Sequence, residues 1–456
     1  MAIVLKDCFY VGTLDKGLEL AGADIVIEGN RIIAVGKDAG KSVASPERVI
    51  DCSRHVVVPG FVNTHHHFYQ TLTRNLKAVQ DAKLFDWLIY LYEIWKHLDR
   101  DAIYWSTMLA AGELLKTGCT TATDHHYVYP HGFAGDIMET QFEAAGRLGM
   151  RFSPTRGSMS RSKKDGGLPP DSVVQTEDQI MADSERVLAK YHDAGEFSMR
   201  KIVLAPCSPF SVTKDLMRES ARLARRYGAN LHTHLAETQD ENDFCVEFYG
   251  KRPLALMEEC EFIGKDVFYA HGIHFNDEEL ALLTKTDTKV AHCPSSNMRL
   301  GSGIARVKEM LERGMTVGIA VDGSASNDAS DFLGEMRNAM LLQRVRYGSD
   351  ALTARQVFEM AAQHGARVLN YSKIGTIAPG YAADLACFDV HRMDFAGSLS
   401  DPLAALLFCG YSHTTDYTIV NGKVVVDKGH LVGVDEDELF KKGHEISTTM
   451  VAKAGA

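Results

Sequence analysis

Short apolar segments alternate with amphipathic stretches through most of the chain, and this alternation is the feature that most limits the possible fold. Eight segments are strand candidates: 56–65, 119–124, 151–156, 201–206, 230–235, 267–271, 289–293 and 316–321. The helical candidates between or after them include 101–117, 177–191, 214–227, 305–313 and 353–369. Strands that alternate with helices indicate parallel βα units. Eight such units predict an α/β fold with a closed (β/α)8 TIM-like barrel, whose site is built where the strands end.

The two ends of the chain carry a different pattern. Residues 23–36, ADIVIEGNRIIAVG, read as a hairpin around Gly29-Asn30, and further strands are indicated within 374–390 and 417–433. Neither end has enough strands to bury a core alone. We therefore predict a small β-sandwich domain built from residues 1–57 and 373–456, with the barrel at 58–372. The tail EISTTMVAKAGA is expected to be frayed.

Composition excludes several classes of function. The nine cysteines include no C-x-x-C pair, which disfavours a disulfide scaffold or a thiolate zinc site. A net charge of -11 without a basic tract disfavours binding to nucleic acid polymers. No run of eighteen apolar residues is present, and no secretion signal is recognised at the N-terminus. We expect a cytoplasmic enzyme that acts on a small molecule and that can form a homo-oligomer.

Three consecutive histidines follow the first strand candidate. Residues His65 and His67 are two apart, so on a strand end both rings project from one face and can bind one ion. A hydrogen-bonded turn is the alternative reading of such a cluster. The fifth strand candidate ends with His232 and His234, of which the one facing the barrel interior would be a third ligand.

Further polar residues follow the other strand candidates. Glu237 comes three residues after His234, His271 ends the sixth strand, and Asp322 follows the eighth. One buried histidine is usually structural, but several histidines and an aspartate at one end of one barrel predict a chemical site. Nitrogen ligands with one carboxylate suit Zn²⁺, and an open position would leave room for a reactive water.

Five segments carry a resemblance to a known family: PGFVNTHHH, HTHLAET, YAHG, HCPSSN and VDGSASND. Together they resemble the amidohydrolase superfamily, in its mononuclear-metal aminohydrolase branch. The resemblance extends over nearly the whole chain, including the domain formed by both termini. It implies a metal-dependent aminohydrolase that deaminates cyclic amidines.

The resemblance also implies roles for individual residues. The implied ligands of one zinc ion per chain are His65, His67, His234 and Asp322. Branches with two metals use a carboxylated lysine on strand four, whereas Lys201 stands at the beginning of that strand, so one metal is expected. The remaining histidines are expected to support the site rather than bind metal: His66, His125, His126, His232 and His292.

The same resemblance suggests the reaction. Water adds to a ring carbon that bears an amine, and ammonia leaves; Asp322 accepts the water's proton, Glu237 passes a proton to the ring, and His271 orients the nucleophile. Gln70 is a candidate for reading a purine edge, or for a turn or capping bond.

The implied substrate is a free purine-type base, with 8-oxoguanine preferred; a pterin such as isoxanthopterin, guanine or a triazine are the alternatives. The insertion 68–100, rich in aromatic residues, either packs as a surface helix or forms a pocket wall. A different zinc deaminase solution needs P-C-x-x-C, which this sequence lacks.

Overall fold

The computed structural model of the protein describes residues 2–410 and 413–455. The middle of the chain forms two parallel sheets. Their strands are β8 Phe61–Asn63, β9 Cys119–Ala122, β10 Arg151–Phe152, β11 Thr155–Ser158, β12 Val203–Pro206, β13 Asn230–Leu235, β14 Val267–His271, β15 Lys289–His292 and β16 Val317–Ile319. One sheet has the order β10-β9-β8, and the other runs from β11 to β16 in chain order.

Backbone hydrogen bonds link these two sheets at both of their edges. Thr64 N–H donates to the Ile319 carbonyl at 3.1 Å, and Asp322 N–H donates to the His65 carbonyl at 3.1 Å, so the last strand lies beside the first. At the other edge, Thr155 N–H donates to the Asp124 carbonyl at 2.8 Å. The carboxyl ends of the parallel strands therefore meet at one pole of the molecule.

The predicted strand 56–65 is wrong as one element. The chain forms β7 His55–Pro59, pairs it with strands from both termini, and then forms β8 in the parallel sheet. The switch falls at Gly60, where a Cβ atom would lie 2.2 Å from Thr120 Oγ1, so only glycine permits this close approach. The three histidines follow the end of β8 rather than lying on the strand.

Helices pack on the parallel strands or on other helices. They are α1 Leu84–Trp95, α2 Arg100–Lys116, α3 Ile137–Leu148, α4 Glu177–Tyr191, α5 Lys214–Tyr227, α6 Gln239–Tyr249, α7 Pro253–Glu259, α8 Asp277–Thr286, α9 Pro294–Arg299, α10 Val307–Glu312, α11 Phe332–Tyr347, α12 Ala354–Glu359, α13 Gly365–Val368, α14 Pro402–Phe408 and α15 Glu436–Ala454. The helices predicted at 177–191 and 214–227 are confirmed residue for residue. The helix predicted at 353–369 contains a π-helical turn, Met360–His364, between α12 and α13.

Strands from both termini form two further sheets. The strands are β1 Ala2–Cys8, β2 Tyr10–Gly12, β3 Glu19–Leu20, β4 Ala23–Glu28, β5 Arg31–Gly36, β6 Arg48–Asp51, β17 Leu385–Asp389, β18 Tyr417–Val420, β19 Lys423–Asp427 and β20 His430–Leu431. Their orders are β5-β4-β1-β6 and β20-β19-β18-β17-β7-β2-β3. One buried apolar cluster joins them, with Ile25 from the first sheet and Leu385 from the second.

The C-terminal tail, expected to be frayed, forms most of the last helix, α15. Met450 is buried, and the hydroxyl of Ser447 donates to the Leu72 carbonyl at 2.6 Å. Gly443 lets α15 approach α2 closely, since a Cβ there would lie 2.5 Å from a methyl group of Leu109. The expectation failed because the apolar side of this helix is covered by a distant part of the chain. Among the described helices, none is long and apolar enough to span a membrane.

Candidate active site

The predicted metal ligands meet at the carboxyl pole of the parallel strands. The Nε2 atoms of His65 and His67 lie 3.3 and 3.4 Å from Asp322 Oδ1. The Nε2 atom of His67 lies 3.2 Å from that of His234. The segments that follow or end β8, β13 and β16 thus bring together four groups from three distant parts of the sequence.

Hydrogen bonds to the outer nitrogens orient two of these rings. His67 Nδ1 lies 2.7 Å from the His125 carbonyl, and His234 Nδ1 lies 2.6 Å from the Cys207 carbonyl. Because a carbonyl only accepts, both Nδ1 atoms carry hydrogen. Burial lowers the pKa of both imidazoles, so the neutral rings present bare Nε2 lone pairs to each other.

The hydrogen position on His65 follows from the hydrogen bonds of its neighbour His232. His232 Nδ1 donates to the Phe268 carbonyl at 2.9 Å, so its Nε2 accepts from His65 Nδ1 at 2.7 Å. His65 Nε2 then faces the carboxylate of Asp322 without a hydrogen. Three nitrogen lone pairs and one carboxylate oxygen therefore converge, and they repel one another unless a cation lies between them. This donor set fits a metal ion.

His125 also belongs to this cluster. Its ligand nitrogen lies within 4.8 Å of those of His65, His67 and His234. The Nε2 atom of His125 lies 3.2 Å from the Ala205 carbonyl, and its Nδ1 has no hydrogen-bond partner among the described residues. Its supporting role remains a prediction, and its ATDHHY context is the sequence signal for its position.

Two predicted proton-transfer groups lie beside the cluster. Glu237 Oε2 is 3.6 Å from His271 Nε2, and His271 Nδ1 donates to Asn297 Oδ1 at 2.9 Å. Burial raises the pKa of Glu237, although His271 opposes the rise. Burial alone would lower the pKa of His271, but the charges of Glu237 and Asp322 outweigh it and the pKa is raised. This pair is suited to holding and passing a proton.

The backbone is strained at three strand ends that carry the site. Ala236, His271 and Asp322 have φ angles of 54°, 72° and 64°, in the left-handed region that non-glycine residues seldom occupy. Such conformations persist only where the surrounding structure holds them, and they cluster at functional sites. They turn the chain sharply at the point where each side chain enters the site.

A pocket opens onto these groups, and the 68–100 insertion provides one of its walls. Residues of the insertion that line it are Gln70, Leu84, Trp87, Leu88 and Tyr92; other lining residues are Tyr127, Cys207, Phe210, Leu300 and Ser326. Packing and a pocket wall were alternative readings of the aromatic residues, and Trp87 and Tyr92 do both, since they are buried in the core cluster as well. The second set was missed, because its residues lie in loops without a distinctive motif.

Two buried polar atoms of this wall have no hydrogen-bond partner within the described part of the chain: Gln70 Oε1 and Trp87 Nε1. The Gln70 amide fits against Gly323, where a Cβ atom would lie 1.9 Å from Oε1. A buried unpaired donor and a buried unpaired acceptor are costly, and both are available to a polar ligand.

The remaining predicted supporting histidines are all buried at this pole. His66 Nε2 contacts Ser330 Oγ at 3.0 Å, and His126 Nε2 lies 2.7 Å from the Val128 carbonyl. His292 has no partner for either ring nitrogen among the described residues. Burial lowers the pKa of each of these three rings to about 3. Lys201 is not near the cluster, because it precedes β12 at the opposite end of the sheet.

Comparisons with known proteins agree with this geometry. The model of the amidohydrolase family matches residues 56–425. The 8-oxoguanine deaminase of Pseudomonas aeruginosa is 46% identical over 438 residues, covering 96% of each chain. An isoxanthopterin deaminase from an unknown prokaryotic organism is 37% identical over 446 residues, covering 94% of this chain and 92% of that protein.

A solved structure supports the same relationship. The atrazine chlorohydrolase of Arthrobacter aurescens TC1, complexed with zinc, superposes with a TM-score of 0.92 at 30% sequence identity, covering 98% of this chain and 100% of that chain. The family match spans most of the sequence, and the relatives align over nearly their whole length. The chain therefore belongs to the amidohydrolase family.

Proposed function

We propose that the protein hydrolytically deaminates a free purine-type base, with 8-oxoguanine as substrate and uric acid and ammonia as products. The observation that carries the proposal is the convergence of His65, His67, His234 and Asp322 beside the pair Glu237 and His271. The 46% identity to an 8-oxoguanine deaminase favours this base. Isoxanthopterin is the second candidate, favoured by the 37% identity to an isoxanthopterin deaminase.

The proposed cofactor is one zinc ion per chain, held by His65, His67, His234 and Asp322. The three bare Nε2 atoms and the carboxylate oxygen support this choice, because zinc prefers nitrogen ligands in a small, nearly tetrahedral set. When bound, zinc lowers the pKa of a coordinated water to about 7. The position of Lys201 at the amino end of β12 supports a single ion.

The protein's own groups supply the proton transfers. Asp322 lies 3.3 Å from His65 within the proposed ligand set, and its carboxylate can accept a proton from the attacking water. Glu237, whose pKa burial raises, carries a proton to the ring nitrogen. His271 orients the nucleophile and stabilises charge on the tetrahedral carbon from which ammonia leaves.

The pocket wall supplies recognition of the base. Trp87 Nε1 donates to a ring carbonyl, and the Gln70 amide binds the polar edge of the heterocycle. Trp87 and Tyr92 also provide flat apolar surface against which a bicyclic ring packs. In 8-oxoguanine we assign the C8 carbonyl to the Trp87 donor, because that carbonyl distinguishes this base from guanine.

We further propose the architecture and setting that suit this activity. The two parallel sheets form one (β/α)8 barrel at 58–372, supported by the hydrogen bonds from Thr64 and Asp322 across its seam. Residues 1–57 and 373–456 form the β-sandwich, supported by their shared apolar cluster. The enzyme acts in the cytoplasm on small molecules, not on nucleic acid polymers, and can form a homo-oligomer.

An assay of ammonia release tests the proposal. Zinc-loaded protein is incubated with 8-oxoguanine, guanine, isoxanthopterin, a hydroxytriazine and an oxidised DNA duplex, and kcat/KM is measured for each. We expect the highest value for 8-oxoguanine and no turnover of the duplex. A higher value for isoxanthopterin would transfer the assignment to the pterin, and release from none of the compounds would overturn deamination.

A further inference from the structure

Glu241 lies beneath the proposed proton carrier and is buried almost completely, with 1% of its surface exposed. Its two carboxylate oxygens accept different peptide hydrogens. Oε1 accepts from Ala236 N–H at 2.9 Å, and Oε2 accepts from Glu237 N–H at 3.0 Å. One side chain therefore binds the two successive peptide groups that position Glu237.

This arrangement differs from an ordinary helix cap. Glu241 is the third residue of α6, and the hydroxyl of Thr238 accepts from its N–H at 3.3 Å, as in a capping box. In a full capping box, the glutamate would bind the N–H of the cap residue itself. Glu241 instead reaches past Thr238 to the residues that enter the site.

The neighbouring helix α8 provides the comparison. Glu279 is also the third helical residue, and its Oε2 accepts from the N–H of the cap residue Asn276 at 2.9 Å. Both glutamates are buried and both helices follow a strand that bears a site residue. Only Glu241 binds peptides outside its own helix cap, so capping does not account for its contacts.

The segment that Glu241 binds is held from its other side as well. The Ala236 carbonyl accepts from Ile273 N–H at 2.8 Å and from His274 N–H at 3.0 Å. Ala236 occupies the left-handed region, which costs free energy unless such contacts hold it. Burial raises the pKa of Glu241 to about 7, and the two peptide donors oppose that rise.

We infer that Glu241 is a positioning residue for the reaction, which fixes the backbone at Ala236 and Glu237 so that the Glu237 carboxylate meets His271 and the substrate. The inference rests on the proposed function, in which Glu237 carries the proton. Glu241 itself does not line the pocket. Its contribution is geometric, and a displacement of about 1 Å at a reacting group can lower a rate by about 100-fold.

A double-mutant cycle tests the inference. In zinc-loaded full-length protein, Glu241→Gln is expected to lower kcat by about 10- to 100-fold with KM and zinc content unchanged. In a Glu237→Gln background, adding Glu241→Gln should change kcat by less than about twofold, because a positioning residue has no effect once its target is absent. A general structural role would lower kcat to the same extent in both backgrounds, and that result would overturn the inference.

Glu279→Gln is the matched control, because it alters a buried glutamate at the same helical position. It should leave kcat within about twofold of the wild-type value. An equal loss of kcat in both variants would also overturn the inference. If Glu241→Gln does not fold, Glu241→Asp provides the same cycle, since it keeps the charge but is one methylene shorter.

The outcomes separate this inference from the proposed function. Wild-type protein that releases ammonia, together with a Glu241→Gln variant of unchanged kcat, overturns the positioning role alone. Wild-type protein that releases ammonia from none of the panel overturns deamination, and the inference with it, because Glu237 would then have no proton to carry.

Discussion

Buried polar groups at the two ends of the parallel strands differ in whether they have hydrogen-bond partners. At the amino ends, Lys201 and Lys289 each donate to a backbone carbonyl, and the Asn230 amide donates to the Val368 carbonyl at 2.9 Å. At the carboxyl ends, His65 Nε2 and His125 Nδ1 have no hydrogen-bond partner among the described residues. Both ends are buried, so exposure to water does not explain the difference.

The contrast separates polar groups that stabilise the fold, at the amino ends, from polar groups that can bind a ligand, at the carboxyl ends. A buried donor or acceptor without a partner costs about 1 to 3 kcal/mol, so a fold seldom keeps several of them together without a function. The three groups named at the amino ends are satisfied by the main chain. The carboxyl ends leave theirs to a metal ion and a substrate, which is consistent with the location of active sites in barrel enzymes.

The largest expected difference between the two ends concerns metal and activity. His65→Ala should lose zinc and lower kcat/KM by more than about 100-fold, since even residues that only support metal ligands contribute about 10- to 100-fold. Lys201→Met should keep both. Elemental analysis and ammonia release measure the two variants, and we expect about one zinc per wild-type chain. Two equivalents of zinc, or activity lost equally in both variants, would contradict the comparison.

A second prediction concerns a group of the carboxyl end that is not a ligand. Glu237→Gln should keep its zinc and lower kcat by about 10² to 10⁴, the usual range for general acid-base groups. Zinc content and kcat are measured on the same sample. Near-normal turnover would show that Glu237 has a structural role and does not transfer a proton in the reaction.

Local signals explain which elements were predictable. Thr176 and Thr213 cap α4 and α5, and Gly228 ends α5 in the left-handed region. Residues close in sequence therefore determine where these helices begin and where α5 ends. The switch between sheets at Gly60 depends on Thr120 and Asp384, which are distant in sequence. The order of α15 likewise depends on packing against α2. Such features need the three-dimensional partners to be known.

The same division holds within the site. The histidine and aspartate positions were predictable because residues at the ends of parallel strands must meet at one pole. The contacts of Glu241 were not predictable, since Thr238 and Glu241 have the spacing of an ordinary capping box. Likewise, the ATDHHY segment indicates that His125 lies near the site, but it does not indicate that the ring lies against the metal cluster rather than behind it.

A third prediction tests the unpaired donor in the pocket wall. Trp87→Phe should lower kcat/KM for 8-oxoguanine by about fivefold, as expected for the loss of one hydrogen bond worth about 1 kcal/mol, and should change the value for guanine less. The ratio of the two kcat/KM values is the measurement. An equal decrease for both bases would indicate that Trp87 contributes packing rather than recognition of a carbonyl.

The smallest expected effects concern stability and pH, and they have opposite signs at the two ends. Glu335, behind the carboxyl ends, accepts from Ser295 N–H at 2.9 Å and from Asn327 Nδ2 at 3.0 Å. Burial raises its pKa to about 8. Burial lowers the pKa of Lys201, at the amino ends, to about 8. Folding therefore shifts the protonation equilibrium of each group toward its neutral form.

The sign of each effect follows from proton binding. Between pH 4.5 and about 8, folded Glu335 binds more protons than the unfolded chain, so its contribution to the free energy of unfolding falls as pH rises. Between about 8 and 10.5, folded Lys201 binds fewer protons than the unfolded chain, so its contribution rises with pH. Relative to that of wild type, the free energy of unfolding of Glu335→Gln should increase from pH 5 to 8. That of Lys201→Met should decrease relative to wild type from pH 8 to 10. Denaturation midpoints of the three zinc-loaded proteins at these pH values measure both slopes, and slopes of the same sign would show that burial does not control these two groups.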